Sequence, residues 1–200
     1  MSDNMSLDEY INSILIPLPE LPKNIRNRPQ NLSVSQQAQR RASQINGLNA
    51  RVQAFKDYLL KYEGFDPVAR KGSGEKFYTI GHGHYGADVK PGQRITRSQA
   101  ASLLDQDVRR RLPELERLLP NFASFPMSAQ EAIFGEFYRG SIGGSPKTRE
   151  YINEGNYAEA AKEFLRNKEY INRVALNRAG IGPRMENVSN ELMKMAKLRK

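Results

Sequence analysis

No cysteine occurs in the 200 residues. This excludes disulfides, thiolate metal sites and cysteine nucleophiles, and it leaves the compartment open. No run of 18 apolar residues exists, so the sequence offers no transmembrane helix. The start, MSDNMSLDEY, lacks the basic leader and apolar core of a secretory signal. The ILIPLPELP stretch is apolar only briefly before Pro17, Pro19 and Pro22 break it. Acidic residues are the scarcer charge, 22 against 31 Lys and Arg, giving a net charge of +9 and a pI of about 9.8. That balance suits a polyanionic partner: nucleic acid, anionic lipid or the acidic bacterial envelope. Nucleic acid is disfavoured, because the basic residues are not interleaved with aromatics and no binding fingerprint is present. Residues 109–117, RRRLPELER, alternate in sign along a helix and read as a solvated face.

Residues 1–45 are rich in Asn, Gln, Ser and Pro. Leu7, Tyr10, Ile11, Ile14 and Leu18 recur at helical spacing and predict a short amphipathic helix over about 8–15, capped by Asp8 or Ser6. The prolines then impose an extended path. Residues 30–41 are polar with little apolar periodicity, so this extension reads either as a flexible tail or as a docking peptide. From Ile45 the pattern changes. Leu48, Val52, Phe55, Leu59 and Tyr62 mark one helix face, with Glu63 at its C-terminal end and Gly64 breaking it. Residues 66–90 hold many Gly and aromatic residues, and Phe77, Thr79 and Ile80 predict a hairpin after the KGSGEK turn. Thr96 and Gln99 have capping-box spacing, opening a helix that Pro113 is expected to end or kink. Ser128 is expected to cap the next helix, with Ala132, Ile133 and Phe137 buried. Residues 140–146 read as a loop, and 148–153, 157–167 and 184–198 as further helices. The fold class is therefore α+β and mainly helical, with one small sheet. The organisation is an extension over 1–45 and a domain over 46–200.

The chemistry-bearing residues cluster in YEGFDPVARKGSGEKFYTIGHGHYGADV, residues 62–89. A carboxylate at a helix end beside apolar residues, as Glu63 is, can be desolvated enough to donate a proton near neutral pH. A lone Glu is more often a solvated surface residue. His82 and His84, two apart on a strand, would share one face and invite a metal, but no third ligand stands nearby.

Glu63-Gly64 followed by Thr79-Ile80-Gly81-His82-Gly83-His84 resembles the phage-type lysozymes, glycoside hydrolase family 24. The likeness continues in order through Tyr85-Gly86-Ala87-Asp88-Val89, Pro91-Gly92 and Ile95-Thr96. It then runs through Ala100-Ala101-Ser102-Leu103-Leu104 with Asp107-Val108, and the central segment from Ala132 to Gly140. It ends with Ile152-Asn153-Glu154-Gly155-Asn156-Tyr157 and Gly180-Ile181-Gly182-Pro183-Arg184. It covers roughly residues 50–198. It implies a lysozyme-like fold with a small β-hairpin lobe and a helical lobe. It also implies cleavage of the β-1,4 bond between N-acetylmuramic acid and N-acetylglucosamine in peptidoglycan.

The family pattern is Glu, eight residues, Asp, five residues, Thr. Glu63 matches the proton donor and Thr79 the threonine beside the water or sugar. The Asp has no match. The step from Glu63 to Thr79 is 16 positions against the family's 15, and Gly72 and Ser73 stand where the acid is sought. Glu75, in the same turn, is the first-ranked substitute. An inverting hydrolase needs a base across the cleft, about 6.5–9.5 Å from the acid. Asp66 and Glu136 are the other carboxylates that could compensate, Asp66 reading as a loop or cap residue and Glu136 as a side chain facing solvent on a shifted helix. The resemblance further implies that Arg184 hydrogen-bonds the Glu63 carboxylate and that His84 pairs structurally with Asp107. His82 is placed nearer the cleft to contact substrate. Tyr138 departs from the family and either stacks on a sugar or fills the core.

The expectation is thus a muramidase encoded by a phage or prophage, serving in lysis or carried in the virion. Bacterial peptidoglycan is the partner, with no cofactor, no metal, no nucleic acid and a monomeric state. The extension could dock on a phage structural protein through Ile11, Ile14, Leu15 and Leu18. Without a signal peptide, the enzyme would reach the wall after membrane permeabilisation or inside a virion. Two rivals stand beside it. A lytic transglycosylase needs one Glu and uses the substrate's own 6-hydroxyl, giving 1,6-anhydro products. An inactive lysozyme-like module would bind glycan or build a virion.

Overall fold

A computed structural model describes residues 33–175 and 181–198. The helix expected over 8–15 and the proline run lie outside them. The chain falls into two compact units, residues 1–52 and 53–200. The described part of the first unit is helical. Its start is a capping box: Gln36 N–H donates to Ser33 Oγ at 3.3 Å, and Ser33 N–H to Gln36 Oε1 at 2.9 Å. This cap sets off helix α1, Val34–Leu60. Residues 30–41, read as a polar tail, therefore include the start of a helix. Weak apolar periodicity follows from its exposure, since residues 33–44 are all exposed. The boundary expected near residue 45 falls inside α1.

In the second unit, α1 continues to Leu60, and a tight turn carries the chain on to Glu63, whose N–H still bonds Leu59 C=O at 2.8 Å. A three-stranded antiparallel sheet follows: β1 (Asp66–Arg70), β2 (Tyr78–Gly81) and β3 (His84–Gly86), in that order. The expected hairpin is β2–β3 plus an earlier strand. Asp66, read as a loop residue, opens β1 opposite Gly81 and forms an ion pair with Arg70.

Helix α2 (Arg97–Leu118) begins at the Thr96–Gln99 capping box. Pro113 does not end it: the helix runs on to Leu118. An internal proline costs about 3 kcal/mol, but Leu112, Leu115 and Leu119 are fully buried around it, and their burial offsets that cost. Helix α3 (Met127–Tyr138) starts after Pro126 without a side-chain cap; Ser128 Oγ instead donates to Glu191 Oε2 at 2.6 Å. Then come α4 (Pro146–Asn153), α5 (Tyr157–Phe164), α6 (Lys168–Ala175) and α7 (Ile181–Leu198). The expected helix over 157–167 stops at Phe164, and α6 was not expected. Helix α7 packs against α3, α5 and α6.

Phe55 anchors the core, stacked on Phe134 with centroids 4.6 Å apart. Leu59, Leu104, Val108, Ile133, Phe164 and Leu192 are fully buried, whereas Phe137, expected inside, is half-buried. Helix α3 reaches the end of α1 because position 135 is glycine: a Cβ there would lie 2.6 Å from the Tyr58 ring. Burial pushes the Tyr58 hydroxyl up to about 12. Among the described residues no helix is long and apolar enough to cross a membrane.

Candidate active site

Strand alternation sorts the site. Ile80 pairs with His84, and both look toward α2; Thr79 pairs with Tyr85, and both line an open cleft of about 390 Å³. Glu63, Glu75, Gly83, Arg111, Tyr138, Arg139 and Gly140 complete its lining. The structure thus brings Glu63, Glu75, Thr79 and Tyr138 to one cleft.

Glu63 is fixed from behind. Arg184 Nη1 donates to its Oε1 at 2.9 Å, while Nη2 donates to Gly135 C=O at 3.2 Å. The guanidinium is buried and lies over the Tyr62 ring, 4.9 Å from its centroid. The other oxygen, Oε2, is turned toward Gly83, whose φ of +89° suits glycine. A Cβ at that position would be 4.0 Å from Oε2 and 3.4 Å from the Tyr138 ring.

Glu75 is held differently. Its Oε2 accepts the N–H of Gly72 at 2.7 Å, closing the carboxylate onto its own exposed turn. Tyr85 steadies that turn by accepting the N–H groups of Lys76 and Phe77 at 3.2 and 3.1 Å.

The two imidazoles do not share a strand face. β2 ends at Gly81 and β3 begins at His84, so His82 sits in the turn between them. Its Nδ1 lies 2.9 Å from Gly64 C=O, an oxygen that only accepts, so Nδ1 carries the proton. His82 is not part of the cleft lining. His84 lies between two carboxylates, with Nδ1 2.8 Å from Asp107 Oδ2 and Nε2 2.8 Å from Asp88 Oδ2. The Asp107 hydrogen bond holds its imidazole above the usual histidine range, against the opposing effect of burial. Burial pushes the Asp107 carboxyl up, but hydrogen bonds from His84 and Arg110 outweigh it and hold the group low. No cluster of three or more metal-ligating side chains occurs among the described residues.

Tyr138 is buried. Its hydroxyl donates toward Asp107 Oδ2 and His82 C=O, both at 3.3 Å, and the Arg111 guanidinium covers its ring at 4.6 Å. Burial and the Asp107 charge raise its phenol well above the ordinary value. Part of the ring is left to the cleft, while the rest packs and the hydroxyl ties α3 to the sheet.

Three site features were not anticipated. Arg111, within the segment read as a solvated face, lines the cleft and donates to Tyr138 C=O at 2.5 Å. Sign alternation is a local pattern and does not tell which turn of a helix meets a cavity. Arg139 lines the cleft as well. Glu136, read as facing solvent, is 1% exposed and lies between Arg184 and Arg139. The i,i+3 spacing of Glu136 and Arg139 was the one available signal.

The profile of the family described as Phage lysozyme matches residues 60–181. The chain is 36% identical over 117 residues to an endolysin of Bacillus phage B103, covering 57% of this chain and 44% of the relative. It is 38% identical over 117 residues to an endolysin of Bacillus phage PZA, covering 57% and 45%. The matched region thus spans less than half the length of these relatives. Among solved structures, the muramidase domain of SpmX from Asticaccaulis excentricus is similar, with 24% identity and a TM-score of 0.42, over 58% of this chain and 76% of that one.

Proposed function

Because the chain belongs to the phage lysozyme family, we propose that it is a muramidase hydrolysing the β-1,4 bond between N-acetylmuramic acid and N-acetylglucosamine in peptidoglycan. The observation that supports this best is the division of labour between the two Glu63 oxygens. Oε1 is taken by Arg184, and Oε2 is left to a cleft that Glu75 and Thr79 also line. Glycoside hydrolysis needs one carboxyl held still while presenting an oxygen to the leaving group. In the proposed reaction Glu63 gives its proton to the glycosidic oxygen, and the C–O bond breaks through an oxocarbenium-like transition state. A water then attacks the anomeric carbon from the opposite face. Glu75 takes the water's proton and Thr79 Oγ1 orients it. His82 contacts substrate at the margin, Arg184 fixes the acid, and His84 with Asp107 fastens the sheet to α2.

The net charge of +9 suits an anionic envelope, and the names of the endolysin relatives favour a wall substrate. In this reading the protein meets the wall after membrane permeabilisation or from a virion, with residues 1–45 as its docking segment. Mass spectrometry of digested peptidoglycan tests the proposal: new reducing ends are expected. One observation favours a second reading. The Glu75 carboxylate is closed onto Gly72 N–H in an exposed turn, which would suit a lytic transglycosylase, where Glu63 alone acts as acid and then base. That reaction gives 1,6-anhydro ends. Absence of any product would leave a glycan-binding or structural module.

A further inference from the structure

The Glu63–Arg184 pair has a second carboxylate behind it. Glu136 Oε1 lies 3.2 Å from Arg184 Nε, off the hydrogen-bond line. Its Oε2 accepts from Ser141 Oγ at 2.6 Å and from Arg139 Nη2 at 3.2 Å. Arg139 in turn grips Glu169 with two bonds of 3.0 and 2.9 Å. Charges therefore alternate in a row: Glu63, Arg184, Glu136, Arg139, Glu169. The row crosses from the end of α1 through α7 and α3 to α6.

Glu136 is 1% exposed, and nothing in the proposed reaction consumes it. Burying a carboxylate costs several kcal/mol unless its partners repay it, and apolar residues of similar volume often stabilise as well or better. Packing alone is thus a poor reason for a charge at this position. Among the described residues, Glu63 and Glu136 are the carboxylates within ion-pair reach of Arg184. The titratable and charged groups that line the cleft with Glu63 are Glu75 in the turn, Tyr85 of β3, Arg111 of α2, Tyr138 of α3 and Arg139 just after it. None of these hydrogen-bonds or forms an ion pair with the Arg184 guanidinium.

We propose that Glu136 is a positioning residue for the Glu63 acid. It steers the Nε edge of Arg184 so that Nη1 meets Glu63 Oε1 and Oε2 stays with the cleft. This inference rests on Glu63 being the acid of the proposed muramidase.

The test is steady-state lysis by the full chain and its Glu136→Gln and Glu136→Asp variants, with melting curves alongside. Gln keeps the size, and the two arginines retain Glu63 and Glu169 as partners, so folding is expected. Glu136→Gln should lower kcat about ten- to a hundredfold with KM nearly unchanged. Glu136→Asp keeps the charge and should lower kcat while leaving KM nearly unchanged. A wild-type kcat in Glu136→Gln, or a loss of activity that merely follows the unfolded fraction, overturns the proposal. If Glu136→Gln fails to fold, Glu136→Asp decides: wild-type kcat overturns the inference, and a lowered kcat with KM nearly unchanged supports it. Wild-type lysis by Glu63→Gln would sink the acid assignment itself. A dead Glu63→Gln beside a wild-type kcat in Glu136→Gln would sink this inference alone.

Discussion

The two walls of the cleft carry their carboxylates in opposite ways. On the helical wall, Glu63 is braced by a buried arginine that is itself braced by a buried glutamate. On the turn wall, Glu75 rests on one backbone N–H in an exposed segment. A group braced by packing across α1, α3 and α7 is preorganised, whereas a group on an exposed turn can settle only when substrate arrives. In the proposed reaction, this contrast suits Glu63 to the early, geometry-critical proton transfer and Glu75 to the later, water-directed step. It also ranks the expected damage. Glu63→Gln keeps the size and the Arg184 contact but removes the dissociable proton, and lysis should fall about 10²–10⁴-fold with little change in melting temperature. Turbidity assays on purified walls measure this, and wild-type clearing would refute the assignment.

The turn wall is tested next. Glu75→Gln should cut kcat about a hundredfold, while Asp66→Asn should cost at most a few-fold. Asp66 sits in β1 opposite Gly81 and pairs with Arg70, so its work is done within the sheet. If both variants are mild and equal, no second carboxylate takes part, and 1,6-anhydro ends should then appear among the products.

The difference between the walls also separates what could be read in the sequence from what could not. Local rules were legible. The Thr96–Gln99 box opens α2, and Phe55 and Leu59 are buried on one face as their spacing predicts. The resemblance brought Glu63 together with Arg184 across 121 positions, a distance no periodicity can bridge. Two of the failures, Glu136 and Pro113, share one cause, dependence on partners far along the chain. Glu136 looked solvated because the residues that neutralise it include Arg184, and Arg184 is placed by α7. Pro113 looked like a helix end because its cost is local and the burial that offsets it is not. Helix α6 escaped notice because its eight residues are half polar; Asn167, whose Oδ1 accepts Glu169 N–H at 2.8 Å, and the Arg139–Glu169 pair hold its start. His82 and His84 were read as one strand because Gly83, which turns the chain between them, also fits an extended pattern.

Behind the turn wall, His84 should give a moderate and pH-dependent effect. Its folded pKa is raised, so its contribution to stability is complete below the unfolded value of about 6.5 and is lost as pH rises through the folded value. Asp107 is lowered, so its contribution is present above about 3.9 and is lost as pH falls through its folded value. Stability from this pair should therefore level off between roughly pH 4 and 6.5 and decline on both sides. The sequence has two histidines, so His84→Asn is a clean probe. Its melting temperature should lose most of the decline seen between pH 6.5 and 9. If the variant keeps the wild-type slope, the imidazole is not the group responsible.

The smallest effect on catalysis should come from removing residues 1–45. All the cleft-lining residues lie between 63 and 140, so the truncated chain should lyse purified walls at close to the wild-type rate. Some stability should be lost. The deletion removes the Ser33–Gln36 capping box and the first turns of α1. A lost cap costs about 1 kcal/mol, and helix residues exposed as fully as 34–44 contribute little beyond it. For a chain of this size, 1 kcal/mol corresponds to roughly 2–4 °C in melting temperature. A fall of that order with lysis intact fits a segment whose purpose is docking. A fall of 15 °C or more, or loss of lysis on purified walls, would mean that residues 1–45 belong to the folding unit of the catalytic domain, and the docking proposal would be abandoned.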